Sequence, residues 1–529
     1  MPELSQSTKQ LIQKYQSWHA AQQRKEDTPT IHVDEVASAV AAFYEKIREM
    51  VDWREEHLIR RAAIERILKR RLLLVKNGED VALPFVLELI RGGHFPNDRI
   101  PESKINPVKK LIDKYLFIIG NSPHPPKEKI KTQLFDWILG IAACEVEEVL
   151  SPPHREKALI EYMMESMIEK LRINNINEEE KNTQIYIAVQ RSLLNLDPPI
   201  INYNLLKRKF PDWPDLTNTD PRLEELTKNI YSLWNEVEKE LKHPLAKKFY
   251  KIAERYDTPY LIMGDIISED PMGISEKIKM PETLENGIAS VYKKRLNILK
   301  ARVKRAAIYA TLSIFLTKML LAFAIEVPFD KYLTGQFSYS TAGLSILIPP
   351  LLMFFLVLTI KPPKEENLQQ VIMETMKIAY QRERKEIYQI ESLKRRRFFM
   401  HSIVTFFYFL TFLTSFGLII WVLRQLNFSP LSVIIFLVFI SLISFAGIKI
   451  RERSRELEVT ESKESALMIL IDFFSLPVIQ VGKWLSSQWK RYNIVMVLIN
   501  FLVDLPFQIF VEFLEQWRNF LKEKKEEIQ

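Results

Sequence analysis

The sequence contains one cysteine and few glycines, and these scarcities exclude several kinds of site. Among 529 residues only Cys144 is a cysteine, so no intrachain disulfide can form, and we expect a buried, apolar role for its thiol. None of the 13 glycines has the GxxxxGK[ST] or GxGxxG spacing of a phosphate-binding loop. The first twenty residues lack a basic segment followed by an apolar core, so we expect no cleavable signal peptide.

Motifs for catalysis or metal binding are also missing from the sequence. There is no GxSxG or HExxH, and the eight histidines are scattered. An acidic cluster surrounds Pro152, but it lacks the Glu-x-x-His spacing of a di-metal helical site, so we interpret it as a solvated helix face. Its members are Glu145, Glu147, Glu148, His154, Glu156, Glu161 and Glu165. We therefore predict no catalytic residue, no metal and no cofactor.

Residues 1–300 show helical periodicity broken by prolines, with few alternating strand patterns. This pattern predicts an all-α soluble region with two lobes, residues 1–120 and 121–300. Gly92-Gly93 predicts a helix end with a left-handed C-cap. Residues 54–71 form a basic helix that could contact anionic lipid or RNA, but interspersed glutamates favour a salt-bridged face. We regard nucleic acid as a disfavoured partner.

Four long apolar runs dominate the second half. They cover residues 306–327, 341–360, 398–423 and 430–450, each about the length needed to cross a bilayer core. The predicted fold class is therefore all-α: a large soluble helical cytoplasmic region, a four-span transmembrane helical region and amphipathic C-terminal helices. The two transmembrane hairpins are predicted at 301–362 and 398–450.

The distribution of cations predicts the orientation of these hairpins. Seven cations precede the first run, ten lie between the second and third, and single cations occupy the intervening loops. Both termini are thus expected in the cytoplasm, with the chain in the cell membrane. The run directly before the third apolar segment is a topology determinant and a candidate contact for anionic lipid headgroups: Lys394, Arg395, Arg396 and Arg397.

The connector at 363–397 carries an apolar stripe typical of an amphipathic, coiled-coil-type helix. The stripe comprises Leu368, Val371, Ile372, Met376 and Ala379, on a helix of roughly nine turns. An exposed stripe needs a partner, and we expect either the N-terminal helices or a second copy of the chain.

The tail, residues 451–529, has two similar apolar segments, each with an aspartate, a proline and a tryptophan followed by a cation. We predict in-plane or re-entrant amphipathic helices on the cytoplasmic leaflet, because a third hairpin would place three cations outside. The third hairpin and packing in the cytoplasm are the alternatives. The candidate interfacial anchors are Trp484, Trp489, Lys490, Trp517 and Arg518.

Lys318 lies midway through the first apolar run, with Glu326 near its outer end. Ionisable groups at such depth are candidate functional residues, and Pro349-Pro350 could break the second span for transport. No acidic partner is expected at the depth of Lys318. We therefore favour a lysine that bonds to Ser or Thr hydroxyls or snorkels, and prolines that only kink a helix.

Three stretches, KRAAIYATLSIFLT, LTIKPPKEENLQQVIMETMKIAYQR and PFQIFVEFLEQWRNFLKEKKEEI, resemble an uncharacterised family of bacterial multi-pass membrane proteins. The resemblance extends over most of the chain and implies a prokaryotic cytoplasmic membrane. It implies no activity and no site residues.

The leading hypothesis is a non-enzymatic scaffold or membrane-organising protein. Its partners would be a bilayer with anionic headgroups and a cytoplasmic protein or a second copy. A transporter or channel using Lys318 and Pro349-Pro350 is the alternative. An enzyme acting on lipid or nucleotide ranks third, because its motifs are missing.

Overall fold

The computed structural model confirms the all-α prediction. It describes residues 4–23, 28–34, 39, 56–74, 81–123, 127–173, 176–335, 338–360, 363, 365–380, 388–390, 398–459, 466–491 and short helical stretches between 509 and 524. Within these residues one pair of three-residue strands interrupts the helices. Strand β1 (Leu171–Ile173) pairs in parallel with β2 (Tyr388–Ile390), with Leu171 opposite Tyr388.

The chain divides into two compact units. The N-terminal unit comprises Ser5–Ser275, Arg384–Ser392 and Met496–Gln529, and the apolar unit comprises Met1–Leu4, Glu276–Glu383 and Leu393–Val495. The helices of the N-terminal unit are α1 Gln6–Gln23, α2 Glu56–Leu74, α3 Ala82–Arg91, α4 Ile105–Asn121, α5 Glu128–Leu150, α6 His154–Lys170, α7 Glu178–Leu193, α8 Pro198–Lys209, α9 Pro221–Lys228, α10 Ile230–Leu241 and α11 Ala246–Glu269. The short helix α12, Ile274–Lys277, contains the sequence boundary between the two units.

Local sequence explains several of these boundaries. The side chains of Asn177, Asp197 and Asp220 accept hydrogen bonds from the first turns of α7, α8 and α9, as N-caps do. Helix α3 ends at Arg91, and Gly93 follows with a φ of 77°, which confirms the predicted left-handed glycine.

One hydrophobic core includes residues on both sides of the boundary predicted between the lobes 1–120 and 121–300. Phe85, Val108 and Tyr115 precede that boundary and Leu139 and Trp213 follow it, and all five belong to the same buried cluster. The two predicted lobes therefore share a core. Cys144 is buried in it, as expected for a small apolar side chain.

The apolar unit contains the four long apolar runs as helices. Its helices are α13 Pro281–Leu321, α14 Tyr339–Leu358, α15 Glu365–Ala379, α16 Phe398–Gln425, α17 Pro430–Ser454 and α18 Ala466–Arg491. Helix α13 continues through two π-helical segments, Ala322–Glu326 and Asp330–Thr334. Four of these helices, α13 with its continuation, α14, α16 and α17, are long and apolar enough to cross a membrane, with mean hydropathy between 1.9 and 2.8.

The connector differs from the single long helix that its stripe predicted. Helix α15 ends at Ala379, and residues Tyr388–Ile390 form strand β2. At 15 residues, α15 is too short for the three or four heptads of a sustained coiled coil. The OH of Tyr380, the next residue, donates to the carbonyl of Ile278 and is buried.

Helix α13 covers part of the apolar stripe of α15 within the same unit, whereas Leu368, Ile372 and Met376 of the stripe are half-buried. Val371 and Ala379 are fully buried. At the N-terminal end of α15, Asn367 donates to the Tyr292 OH (2.9 Å) and to the Leu457 carbonyl (2.6 Å). The N-terminal helices or a second copy, the partners expected for this stripe, stay a prediction for its half-buried part.

Candidate functional site

A fully buried lysine of the apolar unit joins three helices through its carboxylate partner. Lys318 of α13 donates to Glu326, and both side chains are almost completely buried. The second carboxylate oxygen of Glu326 accepts from Ser345 Oγ of α14 (2.8 Å) and from Ser432 Oγ of α17 (3.2 Å). We call these four residues the ion-pair cluster.

The π-helical segment explains how residues eight apart meet on one helix. In a regular α-helix, side chains eight residues apart diverge by about 80°, because each residue turns about 100°. A π-bulge accommodates one extra residue in the helix. Residues 318 and 326 are then placed like residues seven apart on a regular α-helix, whose side chains point within about 20° of each other around the axis. Glu326 closes such a segment, Ala322–Glu326, and its carboxylate reaches back to Lys318.

The two serines are held by the helices that carry them. Ser429 is the N-cap of α17 and its hydroxyl accepts from the Ser432 N–H (3.2 Å), which fixes the first turn bearing Ser432. Ser345 lies four residues before Pro349, a residue that cannot donate a helical hydrogen bond back to it. Phe439 of α17 lies beside the cluster, with its ring centre 5.5 Å from Lys318 Nζ.

This geometry corrects the expectation that Lys318 has no acidic partner. Lys318 neither snorkels nor depends on hydroxyl groups alone, because Glu326 neutralises it directly. All four candidate intramembrane residues lie within the apolar unit, but only Lys318 and Glu326 make the ion pair. Pro349 and Pro350 are buried inside α14, which continues through them to Leu358.

Helix α18 packs against the central residues of two apolar helices. Its Gly482 lies so close to α17 that a Cβ would stand 2.0 Å from the Ser441 carbonyl oxygen. Asp472, which precedes Gly482 on α18, is 3.9 Å from Arg451, which follows Ser441 on α17. The two helices are therefore antiparallel. Helix α18 also crosses the middle of α16, where Ser415 Oγ donates to the Phe474 carbonyl (2.8 Å).

The other candidate anchors have different environments. Trp484 is 59% exposed, and Trp517 is exposed and stacks on Phe513 at 6.3 Å between ring centres. Arg518 donates to Asp34 at 3.2 Å, which gives it a protein partner. The side chains of Trp489 and Lys490, and all of Lys394, Arg395, Arg396 and Arg397, lie outside the described residues.

The acidic cluster near Pro152 is not simply a solvated face. Glu145 is buried, and it accepts from Lys114 (2.5 Å), the Tyr115 OH (2.6 Å) and Trp213 Nε1 (3.2 Å). Burial raises the pKa of Glu145 and lowers that of Lys114, and each partner opposes the shift of the other. Glu148 accepts from Lys157 and Lys207.

The basic helix uses several cations to hold its neighbours. Arg61 is buried and donates to Glu65 and to Asp197 (2.7 Å), while Arg71 donates to Glu88 (2.8 Å). These pairs fit the salt-bridged interpretation, although Arg61 is inside the protein and not on an exposed face.

Glu147 should make the stability of the protein depend on pH. Burial raises its pKa to about 7, against the opposing effect of Arg60 and Arg61. The folded state then holds the proton more tightly than the unfolded chain, so this contribution is complete below pH 4.5 and is lost as pH rises toward 7. Glu147→Gln should therefore stabilise the full chain by roughly 1–3 kcal/mol at pH 8 and change little at pH 5.

Thermal unfolding of the detergent-purified chain between pH 5 and 8 measures this effect. Glu128→Gln, at the other end of α5 on a side chain 87% exposed, is the matched control and should leave the pH dependence unchanged. Equal pH slopes for Glu147→Gln and the unaltered chain would contradict the assignment.

Among the described residues no group of three or more His, Cys, Asp or Glu side chains is arranged to hold a metal ion. Comparisons with protein-family models, curated proteins and solved structures found no match.

Proposed function

We propose that the chain is an integral membrane scaffold: its apolar helices anchor it in a cytoplasmic membrane, and its N-terminal unit docks a protein partner in the cytoplasm. The four apolar helices have the length and hydropathy for crossing, and the cation-rich flanks favour cytoplasmic termini. The segments joining the apolar helices of each pair are short. The soluble mass then lies on the cytoplasmic side.

The observation that carries the scaffold proposal is the closure of the ion-pair cluster. Glu326 neutralises Lys318, and its remaining oxygen accepts from hydroxyls of two further helices. Both charged groups are buried with their partners supplied by protein, an arrangement suited to locking three helices together. A solute-binding charge would instead face a cavity or water.

The exposed apolar residues of the tail suit a second attachment of the chain to lipid. Exposed apolar side chains follow one another at three- and four-residue steps between residues 509 and 521, in positions that are helical: Ile509, Phe510, Phe513, Trp517, Phe520 and Leu521. Such a face favours the headgroup boundary of a bilayer.

Helix α18 has a different environment, because its Gly482 contacts Ser441 in the middle of α17. A helix lying in the membrane plane cannot reach that position. We therefore propose that α18 enters the bilayer beside α17.

A transporter is the second candidate, and a specific observation favours it. A lysine–glutamate pair buried between apolar helices, next to π-helical segments and the Pro349-Pro350 pair, has the composition of an ion or proton pathway. The variant Lys318→Met/Glu326→Leu separates the two candidates by its effect on ion flux.

Photo-crosslinking of the full chain in native membranes tests the scaffold. A photoreactive amino acid at Leu116 or Tyr231, both exposed in the N-terminal unit, should yield a discrete protein adduct, either a cytoplasmic partner or a second copy. The matched control is Tyr332, which is 78% exposed in the apolar unit and should yield no protein adduct. Absence of any protein adduct from both N-terminal positions would overturn the docking role.

A further inference from the structure

A long groove runs along α13 and α14 on the apolar unit, separate from the ion-pair cluster. Its volume is about 780 Å³, within the range of ligand sites. One wall follows α13 from Leu299 to Phe315, and the other follows α14 from Pro350 to Leu358 and on to Ile360. The dimensions suit an elongated molecule.

The walls offer an occupant almost no hydrogen-bonding group. Apart from two lysines, the polar side chains in the lining are Thr311 and Ser454. Each hydroxyl already donates to its own helix, Thr311 to the Ala307 carbonyl (2.9 Å) and Ser454 to the Arg451 carbonyl (2.8 Å). A polar ligand would lose its hydration in this groove without replacement.

Positive charge is concentrated at one end of the groove. Lys300 and Lys304 line it one helical turn apart, and no acidic residue contributes to the lining. Like charges at this spacing repel each other, so an anion between them is favoured. The distance along α13 from Lys304 to Phe315 is about 16 Å, close to half of a bilayer core of about 30 Å.

We infer that the groove between α13 and α14 binds an anionic phospholipid, with an acyl chain along the apolar walls and the phosphate between Lys300 and Lys304. The inference rests on the proposed insertion of α13 and α14 in a bilayer. It goes further by assigning one leaflet, one headgroup charge and one site. Charge complementarity at the lysine end favours a lipid over an apolar helix of a second copy.

Native mass spectrometry of the full chain tests the inference. The detergent-purified protein is titrated with phosphatidylglycerol or with phosphatidylcholine of the same acyl chains. The unaltered chain should retain phosphatidylglycerol preferentially, and Lys300→Gln/Lys304→Gln should weaken that binding by roughly fivefold per lysine. Arg302→Gln/Arg305→Gln removes equal charge from the same helix outside the groove lining, and it should keep the preference.

A second variant addresses the apolar part of the site. Ala307→Phe places a large ring in the groove and should reduce retention of both lipids, whereas Ala307→Ser should not. Equal losses from the lysine and arginine pairs, displacement by inorganic phosphate alone, or dimerisation with no bound lipid would each overturn the lipid assignment. Flotation of the same protein in liposomes checks insertion independently, because failure to float overturns the proposed membrane anchor instead.

Discussion

Lys318→Met is expected to be one of the most destabilising single substitutions in the apolar unit. It removes the donor that neutralises Glu326 and leaves a carboxylate buried between three apolar helices. Breaking one side of a buried ion pair typically costs about 3–5 kcal/mol. We therefore expect a lower unfolding temperature of the purified chain and reduced accumulation in membranes.

Replacing both partners should reverse most of this loss. In Lys318→Met/Glu326→Leu no charge remains buried, and apolar replacement of a buried pair is often neutral or stabilising. The hydroxyls of Ser345 and Ser432 can turn to carbonyls of their own helices. Lys331→Met, at an exposed position on the continuation of α13, is the matched control and should be nearly neutral.

The double variant also separates a scaffold from a transporter. Proteoliposomes loaded with proton- and potassium-sensitive dyes should show the same flux with the unaltered chain, with the double variant and without protein. A flux above the protein-free level that disappears in a stable double variant would overturn the scaffold and support an ion pathway through Lys318. A double variant as unstable as Lys318→Met would show that the cluster does more than neutralise charge.

Hydropathy and helical periodicity predicted the helices because they are local signals. The apolar runs at 341–360 and 430–450 correspond to Tyr339–Leu358 and Pro430–Ser454 within a few residues, since a run of that length leaves little choice of structure. The all-α N-terminal region followed from apolar side chains at three- and four-residue steps, with prolines and Gly93 marking helix ends.

The ion-pair cluster could not be predicted in the same way. Positions 318 and 326 face different directions on a regular helix, and only the π-helical segment aligns them. Ser345 and Ser432 contribute from other helices, a tertiary arrangement that spacing along the chain does not encode. A lysine and a glutamate on the same apolar run were the available signal, but α-helical geometry argued against their contact.

The burial of Glu145 could not be predicted from the sequence for the same reason. On its own helix it belongs to an acidic cluster, which is typical of a solvated face. Its donors, Lys114, Tyr115 and Trp213, lie 30 or more residues away along the chain. A cation and two polar aromatics brought together by folding make the burial of a carboxylate tolerable, and no local pattern reveals that arrangement.

The second large effect is expected at Gly482. Even alanine would place its Cβ 2.0 Å from the backbone oxygen of Ser441, and a backbone atom cannot rotate away as a side chain can. Gly482→Ala must therefore push α18 away from α17, with a cost of about 1–3 kcal/mol or more. Gly417→Ala in α16 is the matched control, because its Cβ would meet nothing within 4 Å. There, alanine should be neutral or stabilising by up to about 1 kcal/mol.

Cysteine pairs report the separation directly on a Cys144→Ser background. Arg451→Cys/Asp472→Cys should be joined efficiently by a short bismaleimide in membranes, because the parent side chains end 3.9 Å apart. Gly482→Ala should reduce that yield and Gly417→Ala should not.

A single cysteine at Ser487, beyond Gly482 on α18, should change its accessibility with Gly482→Ala if the helix is inserted beside α17. Labelling from outside would indicate a third hairpin, whereas protection until the membrane is opened would indicate a re-entrant helix. If Gly482→Ala and Gly417→Ala behave alike in both assays, α18 is not packed on α17, and the in-plane amphipathic helix, one of the two forms predicted from the sequence, becomes the better description.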